Sequence, residues 1–423
     1  MKSSKLEETN SIDDILHPFS FLRLNDPNKY SKEEKKILPK SVSPSALTKD
    51  ELHSGLLFTK ASILKDACIG LNRANGMVEF LDPEFNQKTK EIMFKLIKKF
   101  GSNLFSFNVQ GMSFPADFFA AGSQVDKFFD FTRVFCILIN KATKTTDRIE
   151  RVKIFTASII SGFYMYLRKS RYLNPFLGET CQYQLEDGTE VYSEQTSHHP
   201  PVCNLYIVGP NKSYVLFGSI APEGKFKITY SIGTINLKLT IRFHDGQEIT
   251  MTRSPNSKAI GLLTGELKFF FKGYQEVIDT KEGIRSVLFY DYGEKAHLIG
   301  STKTAARDQV EGLIYYSNDI SKPSNPKAKR SADLQDVKKE ICRMNGSWFE
   351  KIDMNGVNYW HIDKQLPLKK MYHPEPIPSD FRYREDLIYI KRQDFVRADE
   401  WKDCAENRQR ADKALREKFG KTK

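Results

Sequence analysis

The chain lacks the local signatures by which many enzymes are recognised. Its 423 residues include six cysteines, at 68, 136, 181, 203, 342 and 404, and no Cys-x-x-Cys pair, so neither a zinc ribbon nor a redox dithiol is suggested. No His-Glu-x-x-His and no Arg-His-Gly segment occurs, which removes local support for a zinc hydrolase or a histidine phosphatase. The start, Met1-Lys2-Ser3-Ser4-Lys5-Leu6, has no apolar stretch of the signal-peptide kind, so a reducing cytosol with free thiols is expected. The most apolar run, Ile154 to Leu167, is broken by Thr156, Ser158, Ser161 and Gly162 and falls short of the ~20 residues a spanning helix needs. Membrane contact is therefore expected to be peripheral. Internal repeats and low-complexity tracts are also missing.

What is present is a globular composition with an excess of cations. Apolar residues make up 40% and charged residues 28%, and the net charge of +12 is spread along the chain. Such a charge implies an anionic partner: a membrane surface, a nucleic acid or a phosphorylated ligand. No nucleic-acid-binding motif accompanies it, so nucleic acid is not expected.

Residues 1 to 84 mix short apolar runs with lysines and prolines and define no domain. From Glu91 to Phe100, Ile92, Met93, Leu96, Ile97 and Phe100 recur at helical spacing, with Lys95, Lys98 and Lys99 opposite them. This is either a basic amphipathic helix that lies on an anionic membrane or an ordinary surface helix. Thr146 to Lys169 reads as a long buried helix, with Asp147 and Glu150 at its start. Strict alternation follows in Phe226, Ile228, Tyr230 and Ile232, then in Ile235, Leu237, Leu239, Ile241 and Phe243, with Gly233-Thr234 expected as the hairpin turn between them. Further strand-like runs lie at 214–217, 267–271, 286–290 and 312–316. The expected class is α+β, mainly antiparallel β, with the strands closed into a near-complete barrel that hides its edges. The apolar face either lines a lipid tunnel or fills a core. From Ser379 to Lys423 the chain turns helical and highly charged.

Three segments carry chemistry. Glu194-Gln195-Thr196-Ser197-His198-His199-Pro200-Pro201 holds two imidazoles before two prolines that stiffen the backbone, a compact donor set for an oxyanion. Arg171 precedes Leu173-Asn174-Pro175-Phe176-Leu177-Gly178-Glu179. Lys402, Glu406 and Arg410 fall at i, i+4 and i+8, close to one face of a helix, where the acid can hold both cations.

These segments resemble the oxysterol-binding-protein family of lipid-transfer proteins. Its signature has the form E-Q-x-S-H-H-P-P, preceded by an N-P-F-L-G-E turn and closed by a pattern that Pro378-Ser379-Asp380, Arg384, Asp386, Asp394, Ala398, Lys402, Glu406, Gln409 and Arg410 follow. The segment from Met112 through Ala116 resembles the beginning of the family's domain. The resemblance implies residues 85–108 as an amphipathic lid bearing Ile92, Met93, Leu96, Ile97 and Phe100, and residues 109–423 as the lipid-binding domain, leaving 1–84 as an extension of unassigned role. It implies phosphatidylinositol 4-phosphate as ligand, its headgroup held by Arg171, Leu173, Asn174, His198, His199, Lys402, Glu406 and Arg410. A sterol or phosphatidylserine would share the tunnel. The family usually has lysine where this chain has Arg171; arginine keeps the charge and grips phosphate bidentately, with a different shape. Glu79-Phe80-Leu81-Asp82 is similar to the motif by which family members dock to VAMP-associated proteins, without its acidic flank and with leucine for the second phenylalanine. No cofactor and no covalent step is implied, and the place of action is the cytosol, peripheral on endoplasmic reticulum, Golgi or plasma membrane. The alternative is a phosphoinositide phosphatase using His198 or His199, with Arg171 and Glu406 in supporting roles.

Overall fold

The computed structural model describes residues 69–72, 74–100, 114–167, 171–198, 200–227, 229–292 and 305–420. β1 (Ile69–Leu71) and β2 (Val78–Phe80) form a hairpin, and β2 pairs with a strand of the main sheet. The sheet thus begins inside the stretch that the sequence leaves as an unassigned extension. After α1 (Pro83–Phe100), β3 (Phe119–Ser123) and β4 (Arg171–Leu173) pair in parallel as a small separate sheet. Between them run the short α2 (Gln124–Lys127), α3 (Thr132–Ala142) and α4 (Arg148–Ser161).

The main sheet then builds by successive reversals. Its strands are β5 (Thr180–Leu185), β6 (Glu190–His198), β7 (Pro201–Val208), β8 (Tyr214–Phe226), β9 (Tyr230–Phe243), β10 (Glu248–Arg253), β11 (Asn256–Ile260) and β12 (Lys268–Asp279). Next come β13 (Ile284–Tyr290), β14 (Gln309–Ser317), β15 (Val337–Ser347), β16 (Lys351–Met354), β17 (Val357–His361) and β18 (Lys370–Tyr372). With β1 and β2 the described sheet has 16 strands; 13 follow the path β17-β16-β15-β14-β13-β12-β10-β9-β8-β7-β6-β5-β18, while β11 pairs with β9 and β12, and β1 and β2 attach through β12. Two helices close the chain, α5 (Glu385–Lys391) and α6 (Phe395–Gly420). Among the described residues no helix is long and apolar enough to cross a membrane.

The sheet is strongly curled. Strands lie ~4.8 Å apart, so a flat sheet would hold β5 and β17 roughly 50 Å from each other. Yet Thr132 Oγ1 at the start of α3 lies 2.9 Å from Tyr183 Oη on β5, while Tyr359 Oη on β17 donates to Glu150 Oε2 on α4 at 2.9 Å. Since α3 packs on α4, only two helix diameters, about 20 Å, separate these strands. The inward residues of both halves and of the two helices make one continuous core, with Leu185, Ile207, Ile241, Leu288, Met344 and Trp360 among its members.

Two sequence expectations shift. α4 is capped by Asp147, whose carboxylate accepts from the Ile149 and Glu150 N–H groups, but it ends at Ser161. Gly162 follows because a Cβ there would lie 2.8 Å from Phe131 Cβ, and a 3₁₀ turn over Phe163–Tyr166 then carries the chain onward. The hairpin is not at Gly233-Thr234. The chain reverses between Phe226 and Tyr230, where the Lys227 N–H donates to the Tyr230 carbonyl at 2.8 Å. Gly233 lies inside β9, facing Gly224 on β8 and Ser257 on β11, and a Cβ would lie 2.5 Å from Ser257 Oγ.

α1 forms where the spacing expects a helix and turns part of its apolar stripe inward. Met93 is only 2% exposed and packs with Phe80, Leu262 and Leu267, and Phe85 and Ile97 lean on the same cluster. Ile92 is half-buried; Leu96 and Phe100 lie in the helix, their side chains outside the described set. Met93 and Ile97 of the apolar stripe thus pack on β2 and the loop after β11, while Phe94, beside Lys95, faces solvent at 52% exposed. Residues 101–108 of the expected lid lie outside the described residues. Phe80 of the Glu79–Asp82 motif is buried in β2, its N–H bonded to the Leu267 carbonyl at 3.0 Å, so the docking reading of that segment is replaced by a strand.

Candidate headgroup site

Three elements distant in sequence meet where β6 turns into β7. His198 is the last residue of β6 and pairs with Pro201, the first of β7. The corner is laced from within: Ser197 Oγ donates to the Pro200 carbonyl at 2.7 Å, and Gln195 Nε2 to the Ser197 carbonyl at 2.5 Å. His199 lies outside the described residues.

Beside it the Asn174–Glu179 turn is built around a buried acid. Glu179 Oε2 accepts from the Phe176 N–H at 2.9 Å and from Arg384 Nη1 at 2.9 Å, while Oε1 accepts from Ser123 Oγ. Burial pushes the Glu179 carboxyl above its ordinary range, opposed by Arg384 and by these hydrogen bonds. Arg384 also grips Asp386 at 2.6 Å, donates to the Asn174 carbonyl at 2.7 Å, and lies over the Phe176 ring at 4.1 Å. Gly178, at φ +80, turns the chain so that its N–H meets the Gln195 carbonyl at 2.8 Å, tying this turn to β6. The exposed Asn174 side chain takes a hydrogen bond from Gln124 Nε2 on α2 at 2.9 Å. Leu173 is buried on β4.

α6 supplies the third wall. Lys402 is 3% exposed, with Nζ 3.2 Å from Glu406 Oε1 and 3.5 Å from Asp403 Oδ1. Arg410 Nη1 lies 3.6 Å from Glu406 Oε2, so one acid joins both cations across successive turns. Gln409 Oε1 accepts from the Leu177 N–H at 3.2 Å, fastening α6 to the Asn174–Glu179 turn.

These walls enclose one cavity of about 430 Å³. Arg171, Leu173, Asn174, His198, Lys402, Glu406 and Arg410 all line it. Lys413, Arg384 and Glu223 also line it. Phe114, Phe119, Phe128, Pro201 and Pro222 give it an apolar side. Arg171 is exposed yet sits in this concave recess, and burial there lowers its pKa from the ordinary value. A guanidinium stays charged through such a shift. The buried Glu179–Arg384–Asp386 arrangement, the Gln409 strut and the Gln124 contact are additions to the sequence reading. An acid ending an apolar turn, Phe176-Leu177-Gly178-Glu179, is the local hint that a buried cation must answer it.

The chain thus combines a curled antiparallel sheet with a recess lined by both cationic and apolar side chains. The family model described as oxysterol-binding protein matches residues 97–423, and the chain belongs to that family. It is similar to "Oxysterol-binding protein 9" of Dictyostelium discoideum, 26% identical over 346 residues covering 80% of this chain and 79% of the relative. It is 29% identical over 223 residues to "Oxysterol-binding protein-related protein 1" of Mus musculus, covering 50% of this chain but only 20% of that longer protein. Among solved structures, the Osh1 ORD domain in complex with ergosterol superposes with a TM-score of 0.58 at 19% identity, covering 77% of this chain and 80% of that one. The Osh3 ORD in complex with PI(4)P from Saccharomyces cerevisiae does so with a TM-score of 0.55 at 20% identity, covering 78% and 84%. The fold is shared with both.

Proposed function

We propose that this protein extracts phosphatidylinositol 4-phosphate from a membrane and exchanges it for a second lipid, a sterol or phosphatidylserine, at another. The observation that carries this reading is the convergence of Arg171, His198, Lys402 and Arg410, from three remote segments, on one cavity with an apolar side. A phosphomonoester headgroup carries about −1.5 to −2 charge near neutral pH, with a further charge on its diester. Removing such a group from water requires several charge-assisted donors at once. Five cations (Arg171, Arg384, Lys402, Arg410 and Lys413) line the recess against two carboxylates, and Glu406 can accept from inositol hydroxyls, which a cation cannot do. Phe119, Phe128 and Pro222 offer the acyl chains an apolar path. Solved structures with this fold were obtained in complex with PI(4)P in one case and ergosterol in another, which supports the reading that the fold takes either lipid class. Work would be done in the cytosol, peripheral on membranes, with direction supplied by the phosphoinositide gradient.

The test is incubation with liposomes containing radiolabelled phosphatidylinositol 4-phosphate, followed by separation of soluble protein. About one lipid per protein, lost in His198→Ala/His199→Ala, is the expected result. Steady release of inorganic phosphate would replace the carrier by a hydrolase, and no extraction at all would remove the phosphoinositide.

A further inference from the structure

Arg171 rests on an aromatic shelf that the extraction reading does not require. Its guanidinium carbon lies 5.0 Å from the Phe114 ring centroid and 5.1 Å from that of Phe118. The two rings are 5.3 Å apart and nearly parallel, at 20°. The segment carrying them is pinned from two sides. The Ala116 N–H donates to Asp399 Oδ1 on α6 at 2.7 Å, and the Asp117 carbonyl accepts from Lys88 Nζ on α1 at 3.0 Å. The next residue, Phe119, is the register partner of Arg171 across β3 and β4. Backbone pairing and both ring faces are therefore set relative to one side chain, which also lines the cavity.

We infer that Phe114 and Phe118 are positioning residues that hold the Arg171 guanidinium for bidentate phosphate contact and make this position selective for arginine. The inference rests on the lipid-binding reading. A planar guanidinium can lie against rings and keep its edge donors free, whereas an ammonium is a point charge with no such edge. The shelf thus fits the arginine that stands here in place of the family's usual lysine. It also restricts an otherwise flexible side chain before the ligand arrives, so less is lost on binding.

The test is a double-mutant cycle on phosphatidylinositol 4-phosphate binding from phosphatidylcholine vesicles, with cholesterol uptake as a parallel measurement. Phe114→Leu/Phe118→Leu is expected to weaken phosphoinositide binding about tenfold, and Phe118→Leu alone, at a ring outside the cavity lining, to weaken it in part while leaving cholesterol uptake unchanged. In an Arg171→Gln background the same pair is expected to cost nothing further, because the cation it positions is gone. Arg171→Lys is expected to bind more weakly than wild type, and Phe114→Tyr/Phe118→Tyr, which keeps both rings, to bind as wild type does. If the double variant does not fold, Phe118→Leu alone is read in the same cycle. The same fractional loss in both backgrounds, or a lysine variant equal to wild type, overturns the shelf while leaving the carrier intact. A wild type that takes up cholesterol but no phosphoinositide overturns the headgroup reading and the shelf with it.

Discussion

Lys402 and Glu406 stand one turn apart on α6 with Nζ 3.2 Å from Oε1, and of the two only the acid reaches solvent, the lysine being 3% exposed. The pair therefore presents a buried charge through a partner that a ligand can also touch. Glu406→Ala removes a carboxylate that holds Lys402 and also releases Arg410, 3.6 Å away on its other oxygen. Phosphoinositide binding is expected to fall about tenfold, the scale of a lost charge-assisted contact. Vesicle extraction measures it, and an unchanged affinity would detach α6 from the headgroup.

Arg384 is expected to matter for folding first and binding second. It answers two buried acids, Glu179 at 2.9 Å and Asp386 at 2.6 Å. Arg384→Met strands both, with an expected loss of roughly 3–5 kcal/mol in urea unfolding. Arg384→Lys should recover only part, because an ammonium cannot reproduce the fork.

The edge strand β18 is held by another buried charge. Lys370 Nζ bonds Asp126, and Asp130 at 2.8 Å, and Asp126 also accepts from Tyr372 Oη at 2.9 Å. Burial alone would lower the Lys370 pKa, but Asp126 and Asp130 outweigh it and raise it well above the ordinary value. Lys370→Met should destabilise by roughly 3–5 kcal/mol. Because α2 carries both Asp126 and Gln124, the partner of Asn174, phosphoinositide binding should weaken even where the fold survives. Melting and extraction on the same sample check both effects.

Glu385 predicts a pH dependence. Burial, with Asp386 adding to it, pushes its carboxyl from 4.5 up to about 8. The folded state thus binds this proton when the unfolded chain does not. Its stabilising contribution is complete below about pH 4.5 and is lost as pH rises through about 8. Glu385→Gln should therefore melt close to wild type at pH 5 and several degrees higher at pH 8.5. A gap that does not grow with pH would contradict this.

Much of the candidate site was legible because it is written in contiguous or helically spaced residues. His198 pairs with Pro201 at the β6–β7 corner, and the i, i+4, i+8 spacing brings Lys402, Glu406 and Arg410 to one wall. The antiparallel class was legible in the alternation of β9, whose Leu239, Ile241 and Phe243 are all buried. The rest depends on contacts that no local pattern encodes. Gly233 reads as a turn, yet it is glycine because Ser257 crosses close by on β11. The α1 spacing alone leaves open a membrane-lying or an ordinary surface helix, and only the fold shows that Met93 and Ile97 pack against β2 and the loop after β11. Arg384 meets Glu179 from 205 residues away, and the Phe114–Phe118 shelf under Arg171 joins β4 to a segment more than 50 residues upstream (spacing ~53–57).

The most direct measurement is transfer between two liposome populations, one carrying phosphatidylinositol 4-phosphate and the other cholesterol. It should be made for wild type and for Arg171→Gln/Lys402→Met/Arg410→Gln. The account predicts that wild type moves the two lipids in opposite directions, and that the triple variant carries cholesterol but no phosphoinositide. Equal phosphoinositide transfer by the triple variant would show that the cationic recess is not where the headgroup is held.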